Sequence, residues 1–153
     1  MKAELVIPFI VAAAEVLRAE AGVSVRRGQL ALSREAIRTD DVATLIGLVG
    51  DVEGLIVFSL PRETCLGLVS CMLGQPHDEL DALARSGTAE FGNVVAGRGA
   101  TKLSLAGYQV DITVPTMVIG RGTSVTPPQT ERLVVPLQTE LGSLEVHLAL
   151  REA

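Results

Sequence analysis

The chain has 153 residues, is 48% hydrophobic and has a mean hydropathy of +0.40, which suits one domain over 1–153 with a full core and excludes a disordered segment. Its 13 basic and 18 acidic side chains leave a net charge of −5 with no basic cluster, against the electrostatics of a nucleic-acid binder. Only 3% of residues are aromatic and none is tryptophan, so base-stacking platforms are not available and the core must be aliphatic and small.

No run reaches the ~18 uncharged apolar residues that a bilayer span requires. The opening MKAELVIPFIVAAAEVLRAEAG has an early Lys2 and an apolar middle, but Glu4 and Glu15 bracket that middle. Its hydrophobicity is helical rather than uniform, which predicts the first helix of a cytoplasmic domain and not a leader. Val6, Phe9, Ile10, Ala13, Val16 and Leu17 form the inward face. Pro8 fits such a helix only in its first turn, and Gly22 supplies the stop.

Val23 to Leu32 then reads as one strand. Ala43–Val49 and Gly54–Leu60 are apolar runs separated by Gly50, Asp51, Val52 and Glu53, a hairpin pattern. Gly54 marks a bulge or close approach. Pro61 takes the N1 position of a second helix, with Glu63 in its first turn, and Gly74 with Pro76 ends it. Cys65 and Cys71 fall on different faces of that helix, which predicts buried reduced thiols rather than a disulfide or a metal pair.

Leu80 to Ala106 has the composition of a long helix, yet contains Gly87, Gly92, Gly97 and Gly99. Each interior glycine costs roughly 1 kcal/mol relative to alanine, so packing or close contact must require them. Asp78, Glu79 and Asp81 sit where the helix dipole favours acid. At 100° per residue, Ser86, Glu90, Asn93, Gly97 and Thr101 fall in one stripe, with Phe91 and Val95 on one side and Ala89, Ala96 and Ala100 on the other. Glu90 and Asn93, at i and i+3, project a carboxylate and a carboxamide side by side. Such a pair can hold a cation and orient a water; it is also what the solvated face of an ordinary surface helix looks like.

Beyond Gly107 the chain turns extended through Val110, Ile112 and Val114, then Met117, Val118 and Ile119. Gly120, Gly122, Pro127 and Pro128 mark a loop. Two last strands, Arg132–Thr139 and Ser143–Leu150, meet at Gly142. In the second, Leu144, Val146, Leu148 and Leu150 line one face, and Glu145 and His147 the other. His147 is thus expected in solvent, His77 is isolated, and no metal site is assigned. Three helices and about six or seven strands, mostly hairpin-connected, predict an α+β domain with a largely antiparallel sheet.

These residues resemble the CheX branch of the CheC, CheX and FliY family of chemotaxis phosphatases. The resemblance covers most of the chain: Pro8-Phe9, Gly47 with the Gly54 hairpin and Leu60-Pro61, and Met72-Leu73-Gly74. Its most specific piece is Ala89-Glu90-Phe91-Gly92-Asn93-Val94-Val95-Ala96-Gly97, followed by Val110-Asp111-Ile112-Thr113-Val114-Pro115-Thr116.

The family's Glu-x-x-Asn signature falls on Glu90 and Asn93. The resemblance implies hydrolysis of the aspartyl phosphate of a CheY-like receiver domain. Asn93 would hold the attacking water and Glu90 would pair with the receiver's active-site lysine. Mg2+ would sit on the receiver and no cofactor on this chain. Ser86, Ala89, Gly92, Ala96 and Gly97 would form the surface that the receiver approaches.

Related members carry the signature on two helices. Here Glu15 is followed by Arg18, so one site per chain and a homodimer joined through sheet edges are implied. Arg98 after Gly97 departs from the family pattern, which bears on partner choice rather than chemistry. A non-catalytic receiver-binding adaptor and a dimerisation module are the alternative readings.

Overall fold

In the computed structural model, which describes residues 1–128 and 131–153, the order along the chain is α1 (Ala3–Ala21), β1 (Arg26–Arg27), β2 (Ala31–Ser33), β3 (Ile37–Arg38), β4 (Val42–Gly50), β5 (Val52–Leu60), α2 (Arg62–Leu73), α3 (Ala82–Leu105), β6 (Val110–Ile112), β7 (Thr116–Ile119), β8 (Ser124–Val125), β9 (Arg132–Thr139) and β10 (Gly142–Glu152). One antiparallel sheet has the strand order β1-β9-β10-β5-β4-β6, with β2 also on β9 and β7 also on β4; β3 and β8 form a separate ribbon. The α+β class and the three helices are as expected. The described strands number ten because short pieces of two or three residues were not legible as strands.

Alternation within the long strands builds the core. Val42, Ile46 and Leu48 of β4, Ile56, Phe58 and Leu60 of β5, and Leu144, Val146, Leu148 and Leu150 of β10 face the helices. They meet Leu5, Phe9, Val16 and Leu17 of α1, Leu68 of α2, and Phe91, Val95 and Leu103 of α3. Each such side chain gains ~1.5–3 kcal/mol on full burial. The opposite face of the sheet is also covered in part: Ile37, Ala43 and Val57 are buried there, with Val118 and Val125 packed on them. His147, expected in solvent, lies on this same face and is only 4% exposed, with Arg132 beside it.

Several local expectations need correction. α1 begins at Ala3, so Pro8 lies beyond the first turn. The missing N–H leaves the Glu4 carbonyl without its helical partner. Burial of Leu5 and Val6 upstream of Pro8 holds that turn to the core regardless. The single strand expected over 23–32 is two, β1 and β2. The Gly28 N–H donates to the Pro136 carbonyl at 2.8 Å, but Pro136 has no N–H to return, so the ladder is interrupted there.

β4 and β5 extend closer together than expected, leaving Asp51 alone between them. Gly54 does sit at a close approach: a Cβ there would lie 1.9 Å from the Ala149 carbonyl oxygen. Pro61 is the residue before α2 rather than its first. The start of α2 is capped from a distance, since Asp41 Oδ2 accepts the Arg62 N–H at 2.7 Å. That bond, reinforced by Arg121, holds the Asp41 carboxyl below the usual carboxylate range. Cys65 is buried as expected, with Sγ 2.9 Å from Thr88 Oγ1. Cys71, roughly 240° round the helix from it, is exposed and not buried.

Two of the α3 glycines are explained by what touches them. A Cβ on Gly99 would lie 2.2 Å from Phe9 Cδ1, inside the space of a fully buried ring; one on Gly92 would lie 3.1 Å from both Phe58 Cδ2 and Thr44 Cγ2. Phe58 in turn packs edge-on against Phe91, with centroids 5.8 Å apart at 70°.

Gly99→Ala provides a test. Alanine gains roughly 1 kcal/mol in helix propensity, whereas forcing a methyl into a packed ring costs ~1–3 kcal/mol and more where nothing can yield. Because Phe9 is buried on all sides, the expected outcome is a net loss of about 1–2 kcal/mol in urea unfolding. Stability equal to or above that of the parent would show that the ring is not wedged against the helix.

Candidate functional site on α3

The start of α3 is firmly set. Asp81 caps it, its carboxylate accepting the Ala84 N–H at 3.0 Å and lying 2.9 Å from His77 Nε2. These contacts, the backbone bond first, hold the Asp81 carboxyl below the usual range. From there the buried residues Ala84, Thr88, Phe91, Gly92, Val95, Ala96, Gly99 and Leu103 follow one helical face.

Opposite that face lies the polar stripe. Ser86, Glu90 and Thr101 are exposed, and Asn93 and Gly97 are half-buried on its shoulder. Thr101 Oγ1 donates back to the Gly97 carbonyl at 3.0 Å. Beside it, Lys102 Nζ lies 3.1 Å and Arg98 Nη1 3.9 Å from Glu15 Oε1 of α1. None of the hydrogen bonds or ion pairs among the described residues engages Glu90 or Asn93. Their polar groups are free.

The expected approach surface is only partly on this face. Gly92 and Ala96 are buried against the protein's own sheet and core, so they cannot meet a partner; the close approach they permit is internal. Ser86, Ala89 and Gly97 remain beside the pair. Gly97 is the open one, since the nearest atom to a Cβ there would be Ile112 Cδ1 at 3.9 Å.

That contact reveals a flank that spacing could not. β6 runs beside the stripe, and the segment leaving it is tied to β4. Thr113 Oγ1 accepts the Gly47 N–H at 2.8 Å, and the Thr113 N–H donates to the Gly47 carbonyl at 2.9 Å. A Cβ on Gly47 would press on Thr113 Cγ2 at 3.0 Å. The Gly47 and Val110–Thr116 motifs are visible in the sequence, but not that they touch. The same holds for Glu15, which serves as an anchor for Lys102 and Arg98.

Chemically, this is a helix face bearing a free carboxylate and a free carboxamide. A cavity of about 470 Å³ lies elsewhere, lined by Ser33, Arg34, Glu35, Arg132 and a proline turn. Among the described residues no three His, Cys, Asp or Glu side chains converge to hold a metal. No helix among them is long and apolar enough to cross a membrane. The arrangement suits a water or a partner's charged groups brought to it by a docking surface.

Comparison with known proteins bears on that reading. A family model described as the chemotaxis phosphatase CheX matches residues 42–138, from β4 through α3 to β9. The CheY-P phosphatase CheX of Thermotoga maritima is 37% identical over 122 residues, 79% of each chain. A CheC-like superfamily protein from Shewanella sp. PV-4 superposes with a TM-score of 0.90 over 99% of each chain, at 23% identity, a likeness of fold. A chain of the CheX–CheY–BeF3–Mg2+ complex from Borrelia burgdorferi is 28% identical, with a TM-score of 0.76, covering 96% of this chain and 97% of that one.

Because Glu90 and Asn93 bond to nothing within the protein, removing either side chain should leave the fold alone. Glu90→Ala and Asn93→Ala are each expected within about 0.5 kcal/mol of the parent in denaturant unfolding. A loss above about 1.5 kcal/mol in either would mean that the side chain serves the fold.

Proposed function

The chain belongs to the chemotaxis phosphatase CheX family, and from that premise we propose that it hydrolyses the aspartyl phosphate of a phosphorylated CheY-like receiver domain. The observation that carries the proposal is the free Glu90–Asn93 pair on the outward face of a helix whose inward face is tightly packed. In this reading α3 docks over the receiver's phosphorylated aspartate. The Asn93 carboxamide orients a water in line with phosphorus, and the Glu90 carboxylate pairs with the receiver's active-site lysine.

Phosphoryl transfer needs positioning and charge stabilisation more than covalent help from the protein. That is why a carboxamide and a carboxylate suffice on this side. The receiver supplies Mg2+ and its acidic ligands, and this chain contributes no ligand to the metal. The Borrelia burgdorferi complex, which holds CheX with CheY, BeF3 and Mg2+, supports that division. Ser86, Ala89 and Gly97 form the contact surface around the pair. The same proposal places the protein in the cytoplasm as a homodimer. The sheet edge at β6 and β7, where Val114 is 85% exposed, is a candidate seam.

Single-turnover decay of a phosphorylated receiver with excess protein tests the reading. A water-positioning amide acts in the transition state, so Asn93→Ala should appear in the rate and not in affinity for a stable phosphoryl mimic. The expected fall is roughly 10²–10³-fold, as for loss of one positioned donor in a comparable electrostatic site. Asn93→Asp should in addition weaken binding, since it places a second negative charge against the phosphoryl group. Glu90→Ala should lower binding and rate together. If Asn93→Ala decays the phosphate as fast as the parent, the catalytic assignment fails and the protein is a receiver-binding adaptor.

A further inference from the structure

On the sheet face away from the helices, Arg132 of β9 and His147 of β10 are buried together, 6% and 4% exposed. Arg132 Nε donates to His147 Nδ1 at 3.0 Å. His147 Nε2 lies 3.2 Å from Glu145 Oε1. Arg132 Nη1 donates onward to the backbone carbonyl of Glu35. A guanidinium can only donate and a carboxylate only accepts. The imidazole must therefore be neutral, with its lone pair on Nδ1 and its proton on Nε2. The chain of bonds from Glu145 to Glu35 exists in that one tautomer.

We infer that His147 is a pH-sensitive latch: a proton taken up at Nδ1 releases Arg132, and with it the segment around Glu35. Protonation would set an N–H of the imidazolium against the Arg132 Nε–H, donor to donor and cation to cation. The charged groups around it are Arg132 from β9, Glu145 from β10 and Glu35 from the segment before β3, with Arg38, Asp40 and Arg121 lining the cleft beside Glu145 and the Arg34–Glu131 pair at 3.6 Å further out. The strand neighbours of His147 in register, Val57 and Val134, are apolar.

The Glu145 side chain is half exposed. Arg132, by contrast, is buried directly beside the ring. Around Glu35 the backbone pairing is short, although Ile37 just beyond it is buried against Ala43 and Val57. β2 pairs with β9 over three residues and β3 with β8 over two.

The latch lies on the opposite face from α3 and is tested without a receiver. Long-range proton–nitrogen spectra of the labelled parent protein should show His147 as the Nε2–H tautomer at about pH 8. Amide exchange over 35–38, corrected for intrinsic rates, should rise at least about tenfold on lowering to about pH 5, with amides of β4 and β5 unmoved. His147→Gln, which can still accept from Arg132 and donate to Glu145 but does not titrate, should abolish that rise. An Nδ1–H tautomer in the parent overturns the inference. So does a rise of equal size in His147→Gln. If that variant does not fold, the tautomer and the parent's exchange profile decide alone.

Discussion

The fit of α3 against Phe9 and the β4–β5 sheet is the constraint from which the rest of the molecule follows. Gly92 and Gly99 are seven residues apart, about 20° from alignment on an ideal helix. They therefore mark a single line along α3. One point of that line touches Phe58 and Thr44 and the other touches the Phe9 ring. A helix seated at one place where no Cβ fits and at another where a Cβ would be tight has little freedom to roll. Its rotational setting decides which residues face water.

With Gly92 at the bottom, Glu90 lies about 160° round the helix and Asn93 about 100°. Glu90 is accordingly exposed and Asn93 half-buried on the shoulder. A shoulder position leaves the carboxamide unengaged, a suitable state for the water-holding role proposed for it. Reorganisation that is completed by folding need not be repeated at each turnover. The flanks support the same setting. Glu15 gathers Lys102 and Arg98 from the α1 side, and Thr113 ties the segment after β6 to Gly47 on the other.

Much of this was legible in the sequence, and for a physical reason. Long periodic segments declare themselves, so α1, α3, β4, β5, β9 and β10 were readable from apolar spacing, and the Glu90–Asn93 stripe from the helix period. The misses share a cause as well. Gly92 and Ala96 were assigned to the partner surface because small residues beside a polar pair look the same from either side. Only the Phe58 and Thr44 contacts reveal which side is inward. His147 alternates with core leucines and should face water, yet it is buried beside Arg132 of the neighbouring strand, a pairing that its own spacing does not reveal. The break between β1 and β2 depends on Pro136, more than a hundred residues downstream of Gly28. Long-range contacts of this kind leave no local periodicity to read.

The most direct measurement of the central claim is a crystal structure of this protein bound to a receiver domain carrying BeF3 and Mg2+. The expected complex has α3 across the receiver's active site. The Asn93 carboxamide should stand within hydrogen-bond reach of a water, or of the water's position, in line with beryllium, and the Glu90 carboxylate should meet the receiver's lysine. A complex in which the receiver sits elsewhere, with Asn93 still facing bulk solvent, would contradict the assignment of this face as the site of hydrolysis.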